Sequence, residues 1–275
     1  MKKNYHKNTG QKFLLLLSLL LLIPSVFLLA NETGAEFLKK EIKDSDARIL
    51  PYRILLPHNF DTQEKYPLVL FLHGAGERGT DNEKQLIHGS WLFLDQDNRN
   101  QFPAIVIFPQ CPAEEWWIDT SMLAYLRAGR NIPEDTEFAP SWPMKMVIDL
   151  IEDLIKQEII DQSRMYVMGL SMGGYGTFDI LSQRPDWFAA AIPICGGGNS
   201  HAVEKYAKNT ALWVFHGEKD NVVPVEASRI MVEAIRAAGG NVKYTEYPGV
   251  NHNSWDPAFA EPDLLYWLFS HTRQN

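Results

Sequence analysis

Short apolar runs of strand length alternate with longer segments of helical period, and this alternation limits the chain to very few architectures. The runs fall at 48–56, 68–72, 104–108, 165–170, 189–194, 212–216 and 242–247. Several read without interruption (LVLFL at 68–72, AIVIF at 104–108), as strands buried on both faces do. Between the third and fourth runs, Met144, Val147, Ile148, Ile151, Leu154 and Ile155 fall at three- and four-residue spacings and make one apolar stripe. Asp149, Glu152, Asp153 and Lys156 take the other side, and Pro143 suits a first helical turn, where a missing N–H costs nothing. Further helices are predicted over 83–94, 172–182, 225–238 and 258–269, with Gly239-Gly240 ending the one over 225–238. Parallel neighbours need crossovers, so the expected fold class is α/β, a mostly parallel central sheet with helices on both faces, in one domain over 47–275.

Ahead of that domain, Lys2, Lys3, Lys7 and Lys12 precede an apolar run over 13–30, and the first acidic residue is Glu32. This is the layout of a signal peptide over 1–30, which predicts a secreted or periplasmic protein with no stable membrane insertion after cleavage. The alternative is an uncleaved membrane anchor, against which Pro24 and the modest length of the run both count. Residues 31–46 are polar and mixed and read as a lead-in. The formal charge is −8, with 26 Lys and Arg against 34 Asp and Glu, so the cationic excess that nucleic-acid binding needs is missing. The two cysteines, Cys111 and Cys195, each follow a predicted strand. Strands three steps apart in a sheet end about 14 Å from one another, and a disulfide needs Cα atoms within about 7 Å. Two free, buried thiols are therefore expected.

One long irregular stretch, 109–142, carries Trp116, Trp117, Tyr125, Phe138 and Trp142. Such a length suggests a lid-like insertion or binding segment; the alternative is a packed surface excursion whose aromatics fill the gap to the sheet.

The sharpest chemical signal is Gly169-Leu170-Ser171-Met172-Gly173, where a strand (MYVMGL) meets a helix. In that setting a tight turn lifts the Ser171 hydroxyl above the strand ends, and the flanking glycines avoid collisions with neighbouring backbone. A serine hydroxyl needs a base and a carboxylate to orient that base. Asp220 follows the strand run at 212–216, and His252 follows the run at 242–247. The chain order Ser, Asp, His is the order in which such a sheet delivers a catalytic triad. Ser171, Asp220 and His252 are therefore the catalytic candidates. An acyl-transfer oxyanion needs two backbone donors, and Met172 N–H and Ala75 N–H, the latter in the loop after 68–72, are the candidate oxyanion hole. His73 reads as structural, Glu77 and Arg78 as a pair stiffening that loop, and Trp255 with Asp256 as packing that pins the histidine loop.

With these residues in view, the chain resembles the α/β-hydrolase superfamily. Within it, the chain is similar to the secreted phospholipase/carboxylesterase and dienelactone-hydrolase-like group, which includes bacterial esterases labelled "predicted peptidase" or polyhydroxybutyrate-depolymerase-like. The matching motifs are HGAGERG at 73–79, GLSMGG at 169–174, HGEKDNVVP at 216–224 and GVNHNSW at 249–255. The resemblance implies an exported carboxylic-ester hydrolase working through an acyl-enzyme, with no cofactor and no metal. Dienelactone hydrolases use a cysteine where this chain has Ser171, which favours ordinary ester hydrolysis.

The expected partner is a small-molecule or polysaccharide-linked ester, not nucleic acid. Aromatic content alone suggests a feruloyl or acetyl ester stacked on Trp116 or Trp117. The alternatives are a serine peptidase of the prolyl-oligopeptidase type, weakened because the chain is too short for the propeller such relatives carry, and a catalytically inactive hydrolase-fold binding module. No zinc pair, P-loop or dinucleotide fingerprint is present in the sequence.

Overall fold

The computed structural model describes residues 37–130 and 132–273. The signal peptide expected over 1–30 lies outside the described residues. Eight strands form one sheet: β1 Leu38–Lys43, β2 Ile49–Leu55, β3 Tyr66–Leu72, β4 Ile105–Pro109, β5 Ile160–Leu170, β6 Ala190–Ile194, β7 Ala211–Gly217 and β8 Val242–Tyr247. Their order across the sheet is β1-β2-β4-β3-β5-β6-β7-β8. β1, β2 and β4 pair antiparallel at one edge, and every pairing from β4 to β8 is parallel.

The chain starts the parallel part in the middle. It runs from β3 outwards to β4, then crosses back to the other flank of β3 with β5. The connections leaving β3 and β5 therefore diverge, and the crevice between their carboxyl ends is where a sheet of this kind takes its ligand.

The interior strands β3, β4, β6 and β7 are buried almost throughout because both faces are covered. In β3, Leu68, Leu70 and Leu72 join one core, while Val69 and Phe71 join the other. The first core is closed by α4 (Trp142–Lys156), α5 (Met172–Gln183) and α6 (Glu226–Ala237). The second is closed by α1 (Ser90–Leu94), α7 (Trp255–Phe259) and α8 (Leu264–Phe269). Two shorter helices, α2 (Gln96–Gln101) and α3 (Thr120–Arg127), complete the set among the described residues. Cys111 and Cys195 are buried and free, beyond β4 and β6, which stand three steps apart.

Three expectations need correction. The lead-in read over 31–46 contains β1, which pairs along its whole length with β2. Its burial alternates between half-buried and exposed, because an edge strand covered on one face carries Lys39 and Glu41 outwards. The helices expected over 83–94 and 258–269 are each interrupted: Gly89 takes a left-handed φ of 78° before α1, and Glu261-Pro262 separates α7 from α8. The stretch 109–142 is not irregular throughout. It contains α3 and a cluster of Ile118, Met122, Leu123 and Ile132, against which Tyr175 of α5 packs. Among the described residues no helix is long and apolar enough to cross a membrane.

Candidate active site

Ser171 sits between β5 and α5 with φ 52° and ψ −116°, a conformation that L-residues avoid. The turn is held rather than merely allowed. Ser171 N–H donates to the Ile194 carbonyl at the end of β6 (2.9 Å). A β-carbon at Gly173 would drive into the Leu72 carbonyl oxygen at the end of β3, and one at Gly169 into the Gly173 carbonyl. The glycines let α5 start directly against the sheet, so the hydroxyl stands at the crevice and the helix N-terminus faces it.

Two loops bring the other side chains to this hydroxyl. His252, in the loop between β8 and α7, has Nε2 3.0 Å from Ser171 Oγ. Its Nδ1 lies 2.7 Å from Asp220 Oδ2, in the turn after β7. The three residues predicted from separate motifs thus form one hydrogen-bonded line. The Asp220 side chain is fully buried, and burial alone would raise its carboxyl. Hydrogen bonds from His216, His252 and the amides of Val223 and Val222 outweigh that and hold it well below the usual carboxylate range. It is therefore a fixed negative charge facing the imidazole.

His216 went unassigned in the sequence. It is fully buried at the end of β7, with Nε2 3.0 Å from the Val223 carbonyl and 3.3 Å from Asp220 Oδ2. Its Nδ1 lies 2.7 Å from Ser228 Oγ, which donates to the Gly196 carbonyl. The Asp220 carboxylate is therefore gripped from two histidines and two amides. The signal was present, since His216 opens HGEKDNVVP four residues before Asp220, but a buried supporting histidine and a turn histidine look alike in sequence.

The residues expected to supply the oxyanion donors lie close to Ser171, one next to it in the chain and the other in the loop after β3. Met172 is the first residue of α5, so its N–H has no intrahelical acceptor. Ala75 opens the 3₁₀ turn Ala75–Glu77 after β3. A β-carbon on Gly74 would stand 3.6 Å from Ser171 Cβ, which puts the 74–75 peptide beside the Ser171 side chain.

His73 fastens this loop. Its Nε2 accepts from Cys111 N–H (2.9 Å), so Nδ1 carries the proton and donates to the Gly74 carbonyl (2.6 Å). Burial pushes its pKa down to about 4, which keeps it neutral.

Trp117 does not present the stacking surface expected of it. It is fully buried, and its indole N–H donates to the His73 carbonyl (3.1 Å), so it props the loop after β3 and has no face to stack on. Trp116 is half-buried, with the guanidinium carbons of Arg127 and Arg78 4.5 and 5.1 Å from its ring centre. Glu77 and Arg78 do not pair with each other. Arg78 donates to the carbonyls of Ala75 and Glu115, while the buried Glu77 carboxylate lies 3.6 Å from His88 Nε2. Trp255 stands edge-on to His252, with ring centres 5.3 Å apart.

Among the described residues, the cluster that could hold a metal is Cys195, Asp220 and His252, with ligand atoms within 4.8 Å of one another. Asp220 and His252 are already hydrogen-bonded together, and burial pushes the Cys195 thiol up to about 12, far from the thiolate that binds metals well.

Comparison with known proteins shows which family the chain resembles. The family described as phospholipase/carboxylesterase matches residues 60–261. A solved thermostable esterase is 40% identical with a TM-score of 0.77; the match covers 88% of this chain and 64% of that one, so this chain spans slightly less than two thirds of its length. Carboxylesterase SOBER1 of Arabidopsis thaliana is 25% identical over 67% of this chain and 82% of its own. Acyl-protein thioesterase 1 of Neurospora crassa is 25% identical over 68% of this chain and 80% of its own.

Proposed function

The chain belongs to the phospholipase/carboxylesterase family, ester hydrolases of the α/β-hydrolase fold, and from that premise we propose that it cleaves carboxylic esters through a Ser171–His252–Asp220 triad and an acyl-enzyme. The observation that carries the reading is the unbroken line from Asp220 Oδ2 through both ring nitrogens of His252 to Ser171 Oγ, at 2.7 and 3.0 Å.

In this reading His252 Nε2 takes the Ser171 proton as the oxygen attacks the ester carbonyl. Asp220, ionised throughout the working range, holds the ring with its proton on Nδ1 and stabilises the imidazolium that forms. The developing oxyanion is received by the amides of Ala75 and Met172, each worth about 3–4 kcal/mol of barrier. The alcohol leaves with the proton from His252. Water then gives a proton to the same nitrogen as its oxygen adds to the acyl carbonyl, and the acid is freed as the bond to Ser171 Oγ breaks and that oxygen takes the proton back from His252. All four proton transfers use one ring nitrogen, so no cofactor is required by the scheme.

Export belongs to the same proposal. Its support is the lysine-flanked apolar run at 13–30, and recovery of the activity only from the cytoplasm of a producing cell would reject it.

The test of the chemistry is Ser171→Ala. The variant is expected to fold as the parent does and to lose at least about 10³-fold in kcat on p-nitrophenyl acetate and butyrate. A fluorophosphonate probe should label the parent and not the variant. Undiminished turnover by the variant would reject Ser171 as nucleophile, and an unlabelled, inactive but folded parent would point to a binding module on a hydrolase fold.

A further inference from the structure

Eight residues past the nucleophile, about 12 Å along α5, Asp179 is buried without an adequate partner. The residue is 5% exposed. Its Oδ2 has no hydrogen bond, and its other oxygen has one long contact, 3.5 Å from Gln183 Nε2. The fully buried Tyr206 hydroxyl, which feels the Asp179 charge, is also unpartnered. Buried polar groups are nearly always paired, and leaving one unpaired costs about 1–3 kcal/mol. Burial accordingly pushes the Asp179 carboxyl up to about 7, with Asp119 adding to the rise.

This carboxyl lines a cavity of about 350 Å³ between α5, the 3₁₀ turn Ser200–Lys205 and the segment 134–138. Ser171, His252 and Asp220 are not among its walls. The apolar lining comes from Ile118, Met122, Phe138 and Tyr175. The rim is acidic. Glu134, Asp135 and Glu137 are exposed there, against His201 and one lysine, Lys205, which is already paired with Glu137 at 3.0 Å. An anion would meet four carboxyls. A neutral polyol would satisfy hydrogen bonds and leave the charge uncompensated. A compact cation with donors on one end and an apolar stem matches the floor, the rim and the walls together.

We propose that this cavity is a second binding site, taking an organic cation whose ammonium meets Asp179 and whose stem lies against Phe138 and Tyr175. The site goes beyond the hydrolase reading and is tested without using turnover. Isothermal titration of the full chain carrying Ser171→Ala compares n-hexylammonium with its neutral counterpart hexan-1-ol. Hexylammonium is expected to bind at least about tenfold tighter. Adding Asp179→Asn, which keeps the shape, should erase that margin while hexan-1-ol binds as before. Phe138→Ala should instead weaken both ligands by a similar factor. Equal affinities in the parent, a margin that survives Asp179→Asn, or tighter binding of xylitol than of hexylammonium would each overturn the proposal. A chain that held the ammonium in this way but turned over no ester would refute the hydrolase reading and leave this site standing.

Discussion

In the proposed triad, Asp220 alone sets which ring nitrogen of His252 is free to act. A carboxylate can only accept, so it fixes the proton on Nδ1 and leaves Nε2 open towards Ser171 Oγ, 3.0 Å away. Asp220→Asn keeps the shape but offers an N–H donor, so Nδ1 can turn acceptor and Nε2 then carries the proton. The expected outcome is a fall in kcat of about 10⁴-fold with KM changed by less than about threefold, read on p-nitrophenyl esters at saturating and limiting concentrations. A loss of less than about tenfold would mean that Asp220 does not set the tautomer. That these three side chains would meet was legible in the sequence because each follows a strand and their order is constrained by the sheet. Their supporters were not. His216 and Trp117 are defined by what lies beneath them in three dimensions, and aromatic content alone had suggested Trp117 as a stacking platform for an ester. Its indole N–H instead meets the His73 carbonyl 44 residues away.

Among the elements, the same contact ties the segment after β4 to the loop after β3. The Ser141 hydroxyl, which caps α4, donates to the Trp117 carbonyl (3.0 Å), so the cap of one helix, the buried indole and the oxyanion loop form one connected support. Trp117→Phe keeps an aromatic ring and removes the N–H. It should cost about 1 kcal/mol of stability in denaturant titration and lower kcat/KM by a similar factor on every ester, since the loop is affected and not the substrate. A loss confined to sugar-bearing esters would return Trp117 to the role of a stacking platform. The element level also separates what sequence can and cannot give. The interior strands were readable because burial on both faces writes an unbroken apolar run. β1 was not, because half of its residues face water and its Lys-rich pattern, LKKEIK, matches a polar lead-in. α2 was missed because a single turn and a half of polar residues (QDNRNQ) has no apolar stripe; it is specified by the Asp95 side chain, which accepts from the amides of Asp97 and Asn98.

For the molecule as a whole, two buried carboxyls make opposite contributions to the dependence of stability on pH. Asp220 has its folded pKa depressed, so its contribution is complete above the unfolded carboxyl range, near pH 4, and is lost as pH falls below it. Asp179 is raised to about 7, so the folded state holds its proton more tightly than the unfolded chain does. Its contribution is complete below about pH 4, declines as pH rises and levels off above about 7. Asp179→Asn removes that decline. The difference in unfolding free energy between variant and parent should then be small at pH 4, grow in the variant's favour up to pH 7, and stay flat beyond, reaching roughly 2–4 kcal/mol. Urea titrations of both chains at unit intervals from pH 4 to 8 give the comparison, and parallel profiles would show that the carboxyl finds a partner in solution. The direction also bears on why the residue is present. A chain selected only for stability at neutral pH would gain by an amide at 179, at no cost in shape. A carboxyl kept where it weakens the fold, at the floor of a cavity with an acidic rim, is the arrangement expected of a group held ready for a cation.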